Sequence, residues 1–179
     1  SSAASDGYKR QMKLNAGQEA AGRLILYSTN RVVAIQGVAG AGKSSVLRPM
    51  NQLLEEHGKS VIGLGVQNTL VRMLEKDTGI PSMTMHRFLG QNRKLLDGSA
   101  GKAEIAAARE DYRDTVLVLD EASMVSTRDQ DRLIRLANLL KVDRLVLMGD
   151  EKQLGAVEAG KPFALAQRAG TATARMDHN

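Results

Sequence analysis

Cysteine is absent from the 179 residues, and so is tryptophan. Without thiols there is no disulfide framework and no thiolate metal site. Two Phe and three Tyr bring the aromatics to only 3%, so the usual side chains for stacking nucleobases are scarce. No apolar run approaches the length of a membrane helix, and the N-terminus has no signal-peptide core. The expectation is a cytoplasmic protein with no membrane partner. A strong charge of one sign is also missing. Twenty-five basic against twenty acidic residues give +5 and a pI of about 9.6, which permits a polyanionic partner without requiring one. What is present is 42% hydrophobic and 25% charged residues, the composition of a globular protein. The length suits one domain with a real core and falls short of two.

The rest of the chain is arranged around Gly37-Val38-Ala39-Gly40-Ala41-Gly42-Lys43-Ser44. This run fits the phosphate-binding loop pattern G-x-x-x-x-G-K-[ST] without mismatch. Gly37, Gly40 and Gly42 leave backbone N–H groups able to curl around a polyphosphate. The helix expected next turns its positive dipole end to the same anion. Lys43 adds a full charge at the β/γ-phosphates, and Ser44, followed by Ser45, offers a hydroxyl to Mg²⁺. A chance Gly-rich turn would not need the flanks seen here. Arg31 to Gln36 is a β-branched run readable as a buried strand, and Val46, Leu47, Met50, Leu53 and Leu54 recur at helical spacing.

Residues 1–13 read as a disordered leader. A helix is expected from about Asn15, a capping residue, through Tyr27, with Ala20, Ala21, Leu24 and Ile25 towards a core. Gln18 lies on it, and on spacing alone is an exposed helix glutamine. Pro49 should kink the helix after the phosphate loop or loosen its first turn. His57-Gly58 is a normal stop, which makes His57 a solvated C-terminal residue. Lys59 to Leu64 reads as a strand, Gln67 to Lys76 as a helix, and Thr84 to Leu89 as a short helix capped by Thr84. Gln91 to Asp114 is charged, Ala-rich and Gly-containing, and is expected to be a mobile excursion in which Ile105 to Arg109 can form a helical turn or two. The Met residues, including Met73, Met124 and Met148, sit at core-like positions.

Thr115 to Leu119 is a continuous apolar run, the mark of a strand buried on both faces of a parallel sheet. It ends in Asp120-Glu121, at the C-terminal edge where open α/β sheets bind ligands. Asp120 suits a role in holding Mg²⁺ through its water shell, and Glu121 suits proton acceptance from an attacking water. A helix is expected from Arg128 to Leu140. A second apolar strand, Arg144 to Met148, again runs into an acidic turn, Gly149-Asp150-Glu151-Lys152-Gln153-Leu154. Gln153 is a candidate to reach a γ-phosphate or its water, although a loop glutamine read alone is more often just solvated. Gly160 to Arg168 reads as a last helix with Pro162 in its first turn. Residues 170–179 show no apolar pattern and read as a truncated tail, leaving 14–169 as the folded domain.

Taken in order, Gln18, the Gly37–Ser44 loop, Leu119-Asp-Glu-Ala-Ser123 and Gly149-Asp-Glu-Lys-Gln-Leu154 resemble the first motor domain of a superfamily 1 DNA helicase of the RecD-like branch. The flanks are similar to the helicase region of conjugative relaxases of the TraI/TrwC type. That likeness rests on Leu14 to Ala20, Gln36 to Gly40, Val61 to Gly65, Leu119 to Val125 and Gly155 to Phe163.

The resemblance implies an α/β fold: a three-layer RecA-like P-loop NTPase domain with a mainly parallel sheet. The Met148 strand would lie between the phosphate-loop strand and the Leu119 strand. It implies ATP and Mg²⁺ as ligands and single-stranded DNA as partner. Gln18 would read the adenine edge, and Gln153 would couple the γ-phosphate to bound DNA. Asp120 would be metal holder and Glu121 catalytic base. Two departures stand out. Val66-Gln67 replace a Pro-Thr pair that contacts DNA in many relatives. The arginines of a second RecA-like domain are missing, and an arginine finger contributes about 10³–10⁵ in rate. The expectation is therefore a motor fragment that binds nucleotide and hydrolyses it slowly alone. A helicase-like domain that only holds single-stranded DNA would not need Lys43, Asp120 and Glu121 together. A metabolic kinase or GTPase is disfavoured by the lack of an Asn-Lys-x-Asp string.

Overall fold

The computed structural model describes residues 3–5, 19–37, 42–150 and 172–175. Of the expected leader only a short helical turn at 3–5 is among them. The Asn15 cap and the Gly160–Arg168 helix lie outside the described residues. In chain order the elements are helix α1 (residues 19–27), β1 (Val32–Gly37), α2 (Gly42–Glu56), β2 (Ser60–Gly65), α3 (Asn68–Thr78), β3 (Ser82–Thr84), α4 (Met85–Gln91), α5 (Arg93–Leu96), α6 (Lys102–Asp111), β4 (Thr115–Leu119), a 3₁₀ turn (Ala122–Met124), α7 (Thr127–Leu140), β5 (Arg144–Asp150) and β6 (Ala172–Arg175).

The six strands form one sheet in the order β3-β2-β4-β5-β1-β6. Every pairing is parallel. Such a sheet is covered by helices on both sides, and the side chains of β4 and β5 show why. Leu117, Leu119, Leu145 and Leu147 face α4, α5 and α7 in one buried layer. Val116, Val118, Val146 and Met148, together with Val33 and Ile35 of β1, face α1, α2 and α3 in the other. Alternation along each strand thus feeds two cores, and each buried Leu or Val contributes about 1.5–3 kcal/mol. This is the three-layer RecA-like P-loop architecture, with β5 between β1 and β4.

Several sequence expectations are corrected here. Residues 172–175, read as a patternless tail, form β6 and pair with Val33 to Gln36 of β1. Ala172-Thr-Ala-Arg175 is small and polar, so no apolar signal in the sequence marks it. The 91–114 stretch is largely α5 and α6. It is pinned by Tyr112, whose ring meets Phe88 edge-on with centroids 5.6 Å apart, and by Arg109 Nε, which donates to the Leu139 carbonyl at 2.9 Å. Ala20 is exposed while Ala21 and Ile25 are buried. Met148 is buried, but Met73 and Met124 are 53% and 56% exposed and belong to no core.

β2 and β3 are drawn close by one glycine. A Cβ at Gly63 would stand 2.3 Å from the Ser82 hydroxyl and 2.7 Å from Leu74 Cδ2. The missing side chain lets α3 and β3 press against β2, and Ser82 Oγ instead donates to the Ile80 carbonyl at 2.8 Å. At the opposite, N-terminal edge of the sheet, Arg31 ties distant segments together. Its Nε donates to the Val142 carbonyl and its Nη1 to Asn138 Oδ1, both at 2.9 Å. Lys59 bridges Asp143 and Asp114 at the same edge.

Candidate nucleotide site

Three strand ends define the site. Register pairs Gly37, the last residue of β1, with Asp150, the last of β5. Leu119, the last of β4, pairs with Leu147. All three strands run the same way, so they leave the sheet at one edge. Neighbouring strands lie about 4.8 Å apart, so β1 and β4 are about 10 Å apart across β5, and the register leaves Leu119 level with Leu147 and Ala34, short of Gly37 along the strand direction. That edge lies at the carboxyl ends of the strands, where open parallel sheets take ligands.

β1 ends at Gly37, residues 38–41 lie outside the described set, and α2 begins at Gly42. Strand, loop and helix therefore stand as the phosphate-binding motif requires. Lys43 and Ser44 occupy the first turn of α2, where backbone N–H groups lack intrahelical acceptors and the helix dipole favours an anion. Of Lys43 only the backbone is described. Ser44 and Ser45 are half-buried.

Asp120 follows β4 and is 9% exposed. Its N–H donates to the Leu64 carbonyl at 2.9 Å, continuing the ladder with β2. Its Oδ1 accepts the Glu121 N–H at 3.0 Å. Glu121 then takes the left-handed conformation, with φ 53° and ψ 46°. This turns the chain out of the sheet into the 3₁₀ turn, where the Met124 N–H reaches the Glu121 carbonyl at 3.0 Å. Ser126 caps α7 by accepting the Asp129 N–H at 3.2 Å. The same edge carries Thr84, whose hydroxyl caps α4 by accepting the Arg87 N–H at 3.2 Å. Here too His86 Nε2 lies 4.0 Å from Asp129 Oδ2.

The structure thus brings Gly37, Gly42, Lys43, Ser44, Ser45, Asp120 and Glu121 to one edge by backbone placement. Gln18, Gly40 and Gln153 lie outside the described residues.

The AAA domain family model matches residues 13–179. The chain belongs to the AAA domain family. Among its relatives is the multifunctional conjugation protein TraI of Escherichia coli K12, 34% identical over 159 residues, which are 87% of this chain and 8% of that protein. Another is the ATP-dependent RecD2 DNA helicase of Deinococcus radiodurans, 32% identical over 163 residues, or 90% of this chain and 21% of the relative. The chain therefore spans only a small part of either. Domain III of the Thermotoga maritima replication initiation protein DnaA shares the fold, with a TM-score of 0.50 at 18% identity over 93% of this chain and 62% of that one. This AAA domain is a P-loop NTPase domain homologous to those of RecD-like helicases and conjugation proteins. Among the described residues, no helix is long and apolar enough to cross a membrane.

Proposed function

We propose that this AAA domain is the ATP-binding, ATP-hydrolysing first motor domain of a DNA helicase that acts on single-stranded DNA in the cytoplasm, as part of a conjugative relaxase-helicase. The observation that carries this reading is the shared edge: the start of α2, the β4 end with Asp120-Glu121 and the β5 end with Asp150 lie on adjacent strands.

The residues fit ATP with Mg²⁺. Among the described residues no cluster of three or more His, Cys, Asp or Glu side chains exists that would cage an ion. One carboxylate, Asp120, and one hydroxyl, Ser44, are hard oxygen donors, and Mg²⁺ characteristically takes one or two protein oxygens plus phosphates and water. Bound there, the ion would neutralise charge on the β- and γ-phosphate oxygens.

This chain's own groups do the remainder. The backbone N–H groups at Gly37, Gly40, Gly42 and Lys43 hold the phosphates, and the Lys43 ammonium neutralises them. Ser45 adds a hydroxyl beside Ser44. Glu121 takes the proton of the water that attacks the γ-phosphorus in line, as ADP leaves. Gln18 reads the adenine edge, and Gln153 links the γ-phosphate to the DNA strand. A second RecA-like domain supplies the arginine that completes the charge.

The test is Lys43→Ala, read by titration of a fluorescent ATP analogue beside a thermal melt. Nucleotide binding should fall below detection while the melt is retained. Unchanged affinity would remove the site.

A further inference from the structure

α7 has two unlike sides. Gln130, Leu133, Leu136, Ala137 and Leu140 are buried. The outer stripe carries Arg128, Asp131, Arg132 and Arg135, at i, i+3, i+4 and i+7, which lie in line on a helix. Together with Thr127 these residues line an open groove of about 720 Å³. The groove starts at the sheet edge that carries Asp120, because α7 leaves that edge after Ser126 and runs back along the sheet to reach β5.

The geometry points to a binding site for the sugar-phosphate backbone of DNA along Arg128, Arg132 and Arg135. This rests on the DNA reading above and places a second contact surface outside the nucleotide site.

Charge comes first. Three guanidinium groups face one carboxylate in the lining, Asp131. Arg132 Nη1 is 3.5 Å from Asp129 Oδ1, so it is partly offset. Arg135 Nη2 donates to the Leu96 carbonyl at 2.8 Å, which holds its side chain without neutralising it. Arg128 has no ion pair or hydrogen bond among the described residues. Reach comes second. From Arg128 to Arg135 the helix rises about 10 Å, so the cations form a line suited to a repeating anion. Chemistry comes third. All three are arginine, whose planar fork matches phosphate oxygens. No aromatic side chain lines the groove, so it offers backbone contact rather than base stacking.

The experiment measures binding of a fluorescent single-stranded oligonucleotide, and of a duplex of equal length, by anisotropy across a salt series. It compares the unaltered chain, Arg128→Gln/Arg132→Gln and Asp131→Asn. Arg135 is left intact because of its bond to α5. Nucleotide-analogue binding and a thermal melt serve as controls. The double variant should bind DNA on the order of tenfold more weakly, with a salt slope shallower by about 0.7 per contact on a single strand or about 0.9 on a duplex. Asp131→Asn should bind more tightly. The steeper loss between the two oligonucleotides identifies the form that uses the groove. If the unaltered chain binds DNA and neither variant changes affinity or slope, this inference falls and the DNA reading stands. If the unaltered chain binds nucleotide but no DNA, the DNA reading itself falls. Polyglutamate displacing the oligonucleotide as well as unlabelled DNA would assign the groove to an acidic protein segment and overturn the proposal. Should the double variant melt early, Asp131→Asn decides alone: no tightening overturns it.

Discussion

Asp120 Oδ1 accepts the backbone N–H of Glu121 at 3.0 Å. One carboxylate thereby fixes the turn that presents the next. Glu121 sits in the left-handed region at φ 53°, a conformation of higher energy for a residue with a Cβ. Strain of this kind persists where the surroundings over-determine it, and it concentrates at functional sites.

Glu121→Gln keeps the shape of the side chain and the backbone it needs. Nucleotide affinity and the thermal melt should both be retained. ATP turnover, measured in a chain extended by the proposed second motor domain, should fall by about 10²–10⁴, the usual contribution of a general base. Wild-type turnover would remove Glu121 from the chemistry.

Gly63→Ala should destabilise by about 1–3 kcal/mol, the cost of overpacking. The added carbon would meet Ser82 and Leu74 at 2.3 and 2.7 Å. Pairing the change with Ser82→Gly removes one of the two obstacles, so the double variant should recover part of the loss. Urea midpoints at constant slope are the measurement, and no loss in the single variant would show that β3 yields freely.

Lys59 supplies a pH signature. Its hydrogen bond to Asp143 raises the ammonium pKa above its ordinary value, with added attraction from Asp143 and Asp114 outweighing burial. A pKa raised on folding stabilises the charged form. That contribution is complete below the unfolded lysine value of about 10.4 and is lost as pH rises through the higher folded value. Lys59→Met should therefore melt below the unaltered chain at neutral pH, and the gap should close at strongly alkaline pH. A gap that does not change with pH would make the role of Lys59 one of packing.

Gln130 is 1% exposed, and neither its Nε2 nor its Oε1 has a hydrogen-bond partner among the described residues. An unpaired buried polar group costs about 1–3 kcal/mol. Gln130→Met has similar volume and should match or exceed the unaltered chain in melting temperature. A clear loss would mean that the amide is in use.

Much of this was legible in the sequence because a parallel sheet needs strands buried on both sides. β4 and β5 announce themselves as unbroken apolar runs, each followed by acids, and the phosphate loop is a fixed string. The order of β4, β5 and β1 came from resemblance, since apolar runs carry no neighbour information. β6 was missed because small and polar residues can pair by backbone alone. Of α6 only a turn or two over Ile105 to Arg109 is legible, because none of its residues is buried, so no apolar stripe marks it, and its hold on the fold comes through Arg109 and the neighbouring Tyr112. The arginine row of α7 was visible as spacing, but only the helix boundaries and its buried face show that the row points outward.

The sheet order also sets a schedule for the nascent chain. β1 has only β5 and β6 as neighbours, and Arg31 beside it bonds to partners 107 and 111 residues further on. Leaving the ribosome, β1 must wait, unmatched, until β5 has been translated. β2, β3 and β4 can meet sooner. Closure over such separations is slow and leaves apolar edges open to other chains. The edge that gathers the start of α2, Asp120 and Asp150 is therefore incomplete until β5 has joined β1 and β4.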